Sequence, residues 1–221
     1  MSSGTAEFVS GTLGHKPRDV ALFDRALTHS SVGKDSYERL EFLGDRVLGL
    51  VIARWLYEAH ADEPEGKLSR RYNALVARET CAEVGRQIGL PEVIRLGKQA
   101  REDGANQSDN VVGDVVESLI GALLIDGGMD VAEAFVRSAW APFLEGQGRA
   151  PQHPKSALQE LAAARDFGTP AYEIVGRTGA HHAPRFTVRV TIRNQGTAEA
   201  EGSSKQEAET AAAAALLSKL G

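Results

Sequence analysis

The chain has 221 residues, of which 42% are hydrophobic, 25% are charged and 6% are aromatic, and this composition excludes a disordered or fibrous protein. The length allows one large domain or two small ones. The formal net charge of −5 argues against a polyanionic partner such as nucleic acid, unless the acidic residues bind metal ions.

Three features of the sequence predict a cytoplasmic protein without a membrane segment. No apolar stretch approaches the roughly 18 residues that a membrane span requires. The N-terminal sequence MSSGTAEFVSGTLGH has neither the basic start nor the apolar region of a secretory signal. Cys81 is the single cysteine and cannot form an internal disulfide, which favours a reducing compartment.

The first two thirds of the chain are predicted to be mostly helical, because apolar residues recur there at helical spacing. One strong helix is expected over about 37–58, and a second over about 108–126, where two glycines follow as a typical helix end. A further helix is expected over about 130–144. Gly44 lies inside the first of these helices, where glycine costs about 1 kcal/mol relative to alanine, so we attribute it to close packing against another helix.

The composition changes in the segment EGQGRAPQHP, which is rich in glycine and proline and predicts a linker over 147–153. The linker divides the chain into a first domain, 1–146, and a second domain, 154–221. The second domain is predicted to run helix, strand, strand, strand, helix, which suits a small sheet covered on one face by two helices. The acidic surplus lies in the first part, because residues 1–150 carry 17 Lys and Arg against 23 Asp and Glu, whereas 151–221 carry 8 against 7.

Acidic side chains interrupt the apolar pattern of the two strongest helices. Glu38, Glu41 and Asp45 are spaced i, i+3 and i+7 on the first helix, within an arc of about 60° on one face. Asp114 and Glu117 are spaced i and i+3 on the second. Like charges at these spacings destabilise a helix, and burying unpaired carboxylates costs free energy. The pattern favours a shared cation site, with a merely solvated acidic face as the alternative.

The ligand chemistry of such a site points to Mg²⁺, with Mn²⁺ as a substitute, because Mg²⁺ accepts a few carboxylates while it keeps several waters. Zinc is disfavoured because the sequence has no Cys/His cluster. A di-iron carboxylate site is disfavoured because no histidine follows an acidic residue at i+3. We expect Arg39 and Arg46 to point away from the acidic face. A bound cation would then be needed to balance the negative charge of that face.

Two long segments resemble the bacterial ribonuclease III family. HSSVGKDSYERLEFLGDRVLGL, at 29–50, is similar to the signature helix of that family, and GDVVESLIGALLIDGG, at 113–128, is similar to its second acidic helix. The resemblance covers nearly the whole chain. It implies a mostly α endonuclease domain of the ribonuclease III type.

The resemblance also implies roles for individual acidic residues. Glu41, Asp114 and Glu117 would bind divalent metal, and Asp45 and Glu117 would be catalytic. Glu38 and Glu65 match acidic positions that lie around the same cleft in the family and would have supporting roles there.

Residues 154–221 resemble a double-stranded RNA-binding domain, a small α+β fold of the order α-β-β-β-α. The resemblance rests on PKSALQELAA, on the loop that leads into FTVRV, and on GSSKQEAETAAAAALL. It implies that Gln159 and Glu160 enter one minor groove of the RNA, that the loop with His182 enters the next, and that Lys205 points at the phosphates between them.

The sequence departs from that domain family at two places. Lys205 is followed by Gln206 where paired lysines are usual, and the loop reads GAHHAP rather than the more frequent GP-x-H. Since each phosphate contact contributes to affinity, we expect weak RNA binding by this domain alone.

The resemblance implies a Mg²⁺-dependent endoribonuclease that hydrolyses double-stranded RNA and leaves 5′-phosphates and short 3′ overhangs. Processing of ribosomal RNA precursors and other structured transcripts is the expected role. The resemblance further implies a homodimer through the signature-helix region, in which each subunit cuts one strand.

Two other functions stay open at the level of sequence. One is a non-catalytic duplex-RNA-binding protein built on an inactivated nuclease scaffold, which would lack part of the acidic set. The other is a nuclease of the same fold that acts on another nucleic acid, such as an RNA–DNA hybrid.

Overall fold

The computed structural model describes residues 2–148, 150–151, 153–179 and 184–220. The chain divides into two compact units, Met1–Pro151 and Gln152–Gly221. The first is helical and the second contains a three-stranded sheet with helices, which confirms the predicted fold class. None of the described helices is long and apolar enough to cross a lipid bilayer.

The described part of the first unit consists of α-helices and one short 3₁₀ turn at Ala105–Gln107. The helices are α1 (Ser2–Thr12), α2 (Val20–Ala26), α3 (Glu38–Ala59), α4 (Glu65–Leu75), α5 (Arg78–Gln87), α6 (Leu90–Val93), α7 (Lys98–Glu102), α8 (Asp109–Gly127) and α9 (Met129–Glu145). The helices expected over about 37–58, 108–126 and 130–144 correspond to α3, α8 and α9, so these predictions are confirmed.

Helix α8 is the central element of the first unit, because apolar residues cover most of its circumference and pack against neighbours on several sides. It crosses α3 with the two backbones in direct contact. A Cβ atom built on Gly44 of α3 would lie 1.7 Å from the Glu117 carbonyl oxygen, and one built on Gly121 would lie 2.3 Å from the Leu40 carbonyl oxygen. The expectation that Gly44 serves close helix packing is therefore confirmed.

Two buried polar residues fix the periphery of this unit. The Asp126 carboxylate, at the end of α8, accepts hydrogen bonds from two backbone N–H groups just before α2 and lies 2.6 Å from His15 Nε2. The Arg71 guanidinium of α4 donates to both carboxylate oxygens of Glu63 at 2.8 Å and to the Gln147 carbonyl oxygen at 2.6 Å. These contacts tie the chain segments at both ends of the unit to its helical core.

The second unit has the predicted order of one helix, three strands and one helix. The elements are α10 (Pro154–Ala164), β1 (Ala171–Thr178), β2 (Arg185–Ile192), β3 (Gly196–Gly202) and α11 (Lys205–Leu220). The strands form an antiparallel sheet in the order β1-β2-β3, with a bulge in β1 between Ile174 and Gly176.

One face of this sheet carries the core of the second unit. Alternate residues of β2 are fully buried against the two helices: Val188, Val190, Ile192. Leu158 of α10 and Leu216 of α11 complete the apolar layer. Small alanines on the buried side of α11 let that helix approach the sheet closely.

Candidate active site and RNA-binding surface

The acidic faces of α3 and α8 meet where the two helices cross. Burial, followed by the charges of Asp45, Asp114 and Glu41, raises the pKa of the Glu117 carboxyl to about 8. Burial, followed by the charges of Asp114, Glu38 and Asp45, also raises the pKa of Glu41. Carboxylates from two separate helices therefore share one electrostatic field.

These acidic residues differ in their exposure to solvent. Glu41, Asp114 and Glu117 are half-buried, whereas Glu38 and Asp45 are exposed at the rim. The helix crossing at Gly44 explains this gradient, because it places Glu117 of α8 directly beneath the backbone of α3.

The expectation that Arg46 points away from the acidic face is wrong. Its Nη1 atom lies 2.7 Å from Asp45 Oδ2, and its guanidinium lies over the Phe42 ring at 4.0 Å from the centroid. The long arginine side chain reaches back along the helix surface, which spacing by residue number does not reveal. Arg46 lowers the pKa values of Glu41 and Glu117 by less than burial and the neighbouring carboxylates raise them, so both carboxyls keep raised pKa values.

The donor chemistry of this cluster fits a hard dication, because it consists of carboxylate oxygens with excess negative charge. Among the residues that the structure describes, however, no three carboxylate, imidazole or thiol groups form an arrangement that could hold a metal ion as they are positioned. The carboxylates influence one another's pKa values, but as positioned their oxygens do not surround a common ion position. Side-chain rotation would be needed to bring their oxygens onto one ion.

Two further residues contact the cluster, and sequence reasoning gave neither of them this role. Tyr37, just before α3, donates its hydroxyl hydrogen to Asp114 Oδ2 at 3.2 Å, and its ring lies against His29 at 5.7 Å between centroids. Cys81 of α5 is buried, and its Sγ lies 4.0 Å from Glu117 Oε1.

The pKa values of both groups reflect this setting. Burial, then the charge of Asp114, raises the pKa of Tyr37, which keeps its hydroxyl protonated as a donor. Burial, then the charge of Glu117, raises the pKa of the Cys81 thiol to about 12, so the thiol stays neutral. A tyrosine directly before ERLEFLGD is the signal that could have identified Tyr37.

Glu65 forms its side-chain hydrogen bond within its own helix. It is the first residue of α4, it is exposed, and its Oε1 accepts a hydrogen bond from the Ser69 hydroxyl at 2.6 Å. In the described ranges, no hydrogen bond or ion pair joins Glu65 to α3 or α8. Glu38, in contrast, acts on the cluster through its charge, since it raises the pKa values of Glu41 and Tyr37.

The residues predicted to bind RNA lie on the second unit. Gln159 and Glu160 are exposed on α10, and Lys205 is exposed at the start of α11. Gln159 and Lys205 line one open depression between the two helices, together with Gln206. His182 lies outside the described residues.

Comparison with known proteins shows what both units resemble. Residues 19–143 match the family described as Ribonuclease-III-like, and residues 154–220 match the double-stranded RNA binding motif. Ribonuclease 3 of Zymomonas mobilis is 59% identical over 210 residues, which covers 95% of this chain and 85% of that protein. Ribonuclease 3 of Rhodopseudomonas palustris is 44% identical and covers 100% of this chain and 83% of its own length.

Among solved structures, the nuclease domain of ribonuclease III from Campylobacter jejuni is similar. One structure of this domain describes flexibility in the region involved in dimer formation. It is 31% identical to this chain with a TM-score of 0.59, and the match covers 60% of this chain and 94% of the other. A second structure of the same domain has the same TM-score of 0.59 and covers 66% of this chain and 96% of its own. With these matches over both units, the chain belongs to the ribonuclease III family.

Proposed function

We propose that this protein is a divalent-metal-dependent endoribonuclease that cleaves double-stranded RNA with the carboxylates at the crossing of α3 and α8. The observation that carries the proposal is this cluster, in which burial and then the charges of neighbouring carboxylates raise the pKa of Glu117 to about 8. The second unit supports the substrate assignment, because its sequence matches a double-stranded RNA binding motif. All four carboxylates of the predicted site are present, which argues against an inactivated scaffold.

Glu41, Asp114 and Glu117 would hold Mg²⁺, with Mn²⁺ as a substitute. When bound, the metal would acidify the attacking water and neutralise charge at the scissile phosphate. Asp45 and Glu117 are the proposed catalytic residues. With its raised pKa, the Glu117 carboxyl retains its proton at neutral pH until positive charge arrives, and once ionised it can orient water or accept a proton from it.

The other residues around the cluster position these groups. The Tyr37 hydroxyl orients one oxygen of Asp114, and the Cys81 thiol borders one oxygen of Glu117. The supporting roles of Glu38 and Glu65 stay proposals. Glu38 would support the cluster through its charge, which raises the pKa values of Glu41 and Tyr37. Glu65 would support it from the start of α4.

We also propose that the protein acts as a homodimer in which each subunit cuts one strand, leaving 5′-phosphates and short 3′ overhangs. Helix α3 carries exposed apolar side chains on one side: Phe42 is 62% exposed, Leu50 61% and Tyr57 74%. At about 100° per residue these three lie within an arc of about 80°. Such a patch favours association, and the related Campylobacter jejuni domain has a region involved in dimer formation.

For RNA binding we propose Gln159, Glu160, His182 and Lys205, which match the three contact regions of the domain type. The proposed biological role is the processing of ribosomal RNA precursors and other structured transcripts in the cytoplasm. The buried, unpaired thiol of Cys81 is compatible with a reducing compartment.

The function is tested by incubating the purified protein with a long RNA duplex, with Mg²⁺ and with a chelator. We expect cleavage only with Mg²⁺, and loss of cleavage in Glu117→Gln with duplex binding retained, because the substitution removes a ligand and proton acceptor and leaves the second unit unchanged. The matched control is Glu92→Gln, which lies outside the cluster. Cleavage by Glu117→Gln at the wild-type rate would refute the site, and preferential cleavage of a matched RNA–DNA hybrid would refute the substrate.

A further inference from the structure

The arginines of the small sheet fall into two groups with different surroundings. Arg189 donates to Glu199 across β2 and β3 at 2.7 Å, and Arg185 donates to Glu201 at 3.3 Å. Both alternate with the buried residues of β2, so they lie on the sheet face that the helices do not cover. Their charges are paired with glutamates on that face.

Arg177 lies on the opposite face because of the bulge in β1. Before the bulge, Tyr172 and Ile174 pair with Val190 and Val188, which face the helices. Regular alternation from these residues would direct Arg177 to the uncovered face. The extra residue of the bulge shifts the register, so that Arg177 pairs with Phe186 instead.

The side chain of Phe186 shows which way Arg177 points. Phe186 packs against the apolar core between the sheet and its helices. The Arg177 guanidinium lies over the Phe186 ring at 5.5 Å from the centroid, so it lies on the helix-covered side. The ring restricts the arginine to few conformations, which lowers the entropy lost when the guanidinium binds a ligand.

The row of paired residues across the sheet that contains Arg177 and Phe186 ends close to the start of α11. Phe186 pairs on its other side with Gly202, the last residue of β3, and Lys205 begins α11 three residues later. Since adjacent strands lie about 4.8 Å apart, the backbones of Arg177 and Gly202 are about 10 Å apart. Two exposed cations, Arg177 and Lys205, therefore lie at one end of the unit. The ion pairs among the described residues of this unit are Lys155–Glu209, Arg185–Glu201 and Arg189–Glu199, so neither Arg177 nor Lys205 belongs to one.

We propose that Arg177 binds a backbone phosphate of double-stranded RNA alongside Lys205. The inference rests on the proposed function, since it assumes that the second unit binds duplex RNA. An arginine guanidinium can donate two parallel hydrogen bonds to one phosphate. The bulge in β1 thereby gives this face a cation that strict strand alternation would have placed on the other side.

The test measures the affinity of the full-length protein for a duplex RNA of about 30 base pairs as a function of salt, in chelator to prevent cleavage. We expect Arg177→Ala to bind about 3- to 10-fold more weakly near 0.1 M salt and to lower the salt slope by about 0.9 or less, because one phosphate contact is lost. Arg177→Lys should retain most of the slope. The matched control is Arg193→Ala, an exposed arginine in the turn at the opposite end of β2, which should match the wild type.

The outcomes separate this inference from the proposed function. An Arg177→Ala variant with the wild-type affinity and slope would overturn the inference, as would one that binds more weakly with an unchanged slope. Equal losses in Arg177→Ala and Arg193→Ala would also overturn it, because they would reflect net charge alone. If the wild-type protein fails to bind duplex RNA at all, the proposed function itself fails.

Discussion

Tyr37 connects the start of α3 to the acidic face of α8. Its hydroxyl donates to Asp114 at 3.2 Å, and its ring is almost fully buried, so the hydrogen bond is held by packing. A group that orients a metal ligand through one hydrogen bond commonly contributes to metal affinity without touching the metal. Tyr37 is therefore a positioning residue for the proposed site.

We expect Tyr37→Phe to weaken Mn²⁺ binding about 10-fold, measured by titration calorimetry or electron paramagnetic resonance, because Asp114 loses the donor that orients it. Cleavage should fall at limiting metal and recover at high metal concentration. The control is Tyr57→Phe, which removes an exposed hydroxyl from α3 but keeps the ring that belongs to the proposed dimer patch, and it should change neither measurement. Unaltered Mn²⁺ affinity in Tyr37→Phe would contradict the positioning role.

The stability of the metal-free protein should depend on the ionisation of Glu117. Its pKa of about 8 in the folded chain lies above the ordinary value of 4.5, because burial and neighbouring carboxylates disfavour the charged form. The folded chain thus binds this proton more tightly than the unfolded chain does. The resulting stabilisation is fully present below about pH 4.5 and is lost as the pH rises to about 8.

In chelator, we therefore expect the free energy of unfolding of the wild type to fall between pH 5 and pH 8 more steeply than that of Glu117→Gln. At pH 8 the variant should be more stable, by on the order of 1 to 2 kcal/mol after allowance for solvent access. Urea unfolding at a series of pH values measures both curves. Parallel curves for the two proteins would show that Glu117 titrates normally.

At the scale of elements, the crossing of α3 and α8 decides where the carboxylates lie. A Cβ atom on Gly44 would meet the Glu117 carbonyl oxygen at 1.7 Å and the Gly121 backbone nitrogen at 2.9 Å. Both neighbours are backbone atoms, so relief requires the two helices to separate. The packing of this crossing and the geometry of the acidic cluster are thus one structural feature.

Gly44→Ala should destabilise the protein by about 3 kcal/mol or more, because the helices must move apart in a close-packed core. It should also abolish cleavage, since Glu117 moves with the α8 backbone. Thermal and urea unfolding measure the first effect. Gly66→Ala is the matched control within a helix: its Cβ would meet nothing within 4 Å, and alanine should stabilise α4 by up to about 1 kcal/mol. Equal stability of both variants would exclude a tight crossing.

Across the whole molecule, acidic and basic residues are distributed unequally between the two units. The acidic surplus of the first part belongs to a unit whose carboxylates share one field, and the second part carries a slight basic surplus. The overall charge of −5 is therefore a poor guide to the partner. The local fields around the proposed metal site and the proposed phosphate-binding face would determine binding, rather than the sum over the chain.

Residue periodicity predicted helices α3, α8 and α9, the order of elements in the second unit and the acidic residues of the cluster. Hydrophobic periodicity fixes α3 and α8 because burying an apolar stripe is worth more than any local preference. The same periodicity places Glu41 and Asp114 on inward-facing sides, and Gly44 marks the close contact.

The contacts between residues that are distant in sequence follow from how the helices and strands pack. Tyr37 and Asp114 are 77 residues apart, and their hydrogen bond depends on how two helices cross. The reach of Arg46 to Asp45 depends on rotamers, and the face of Arg177 depends on one bulge. Such contacts follow from packing in three dimensions, which periodicity along the chain does not encode.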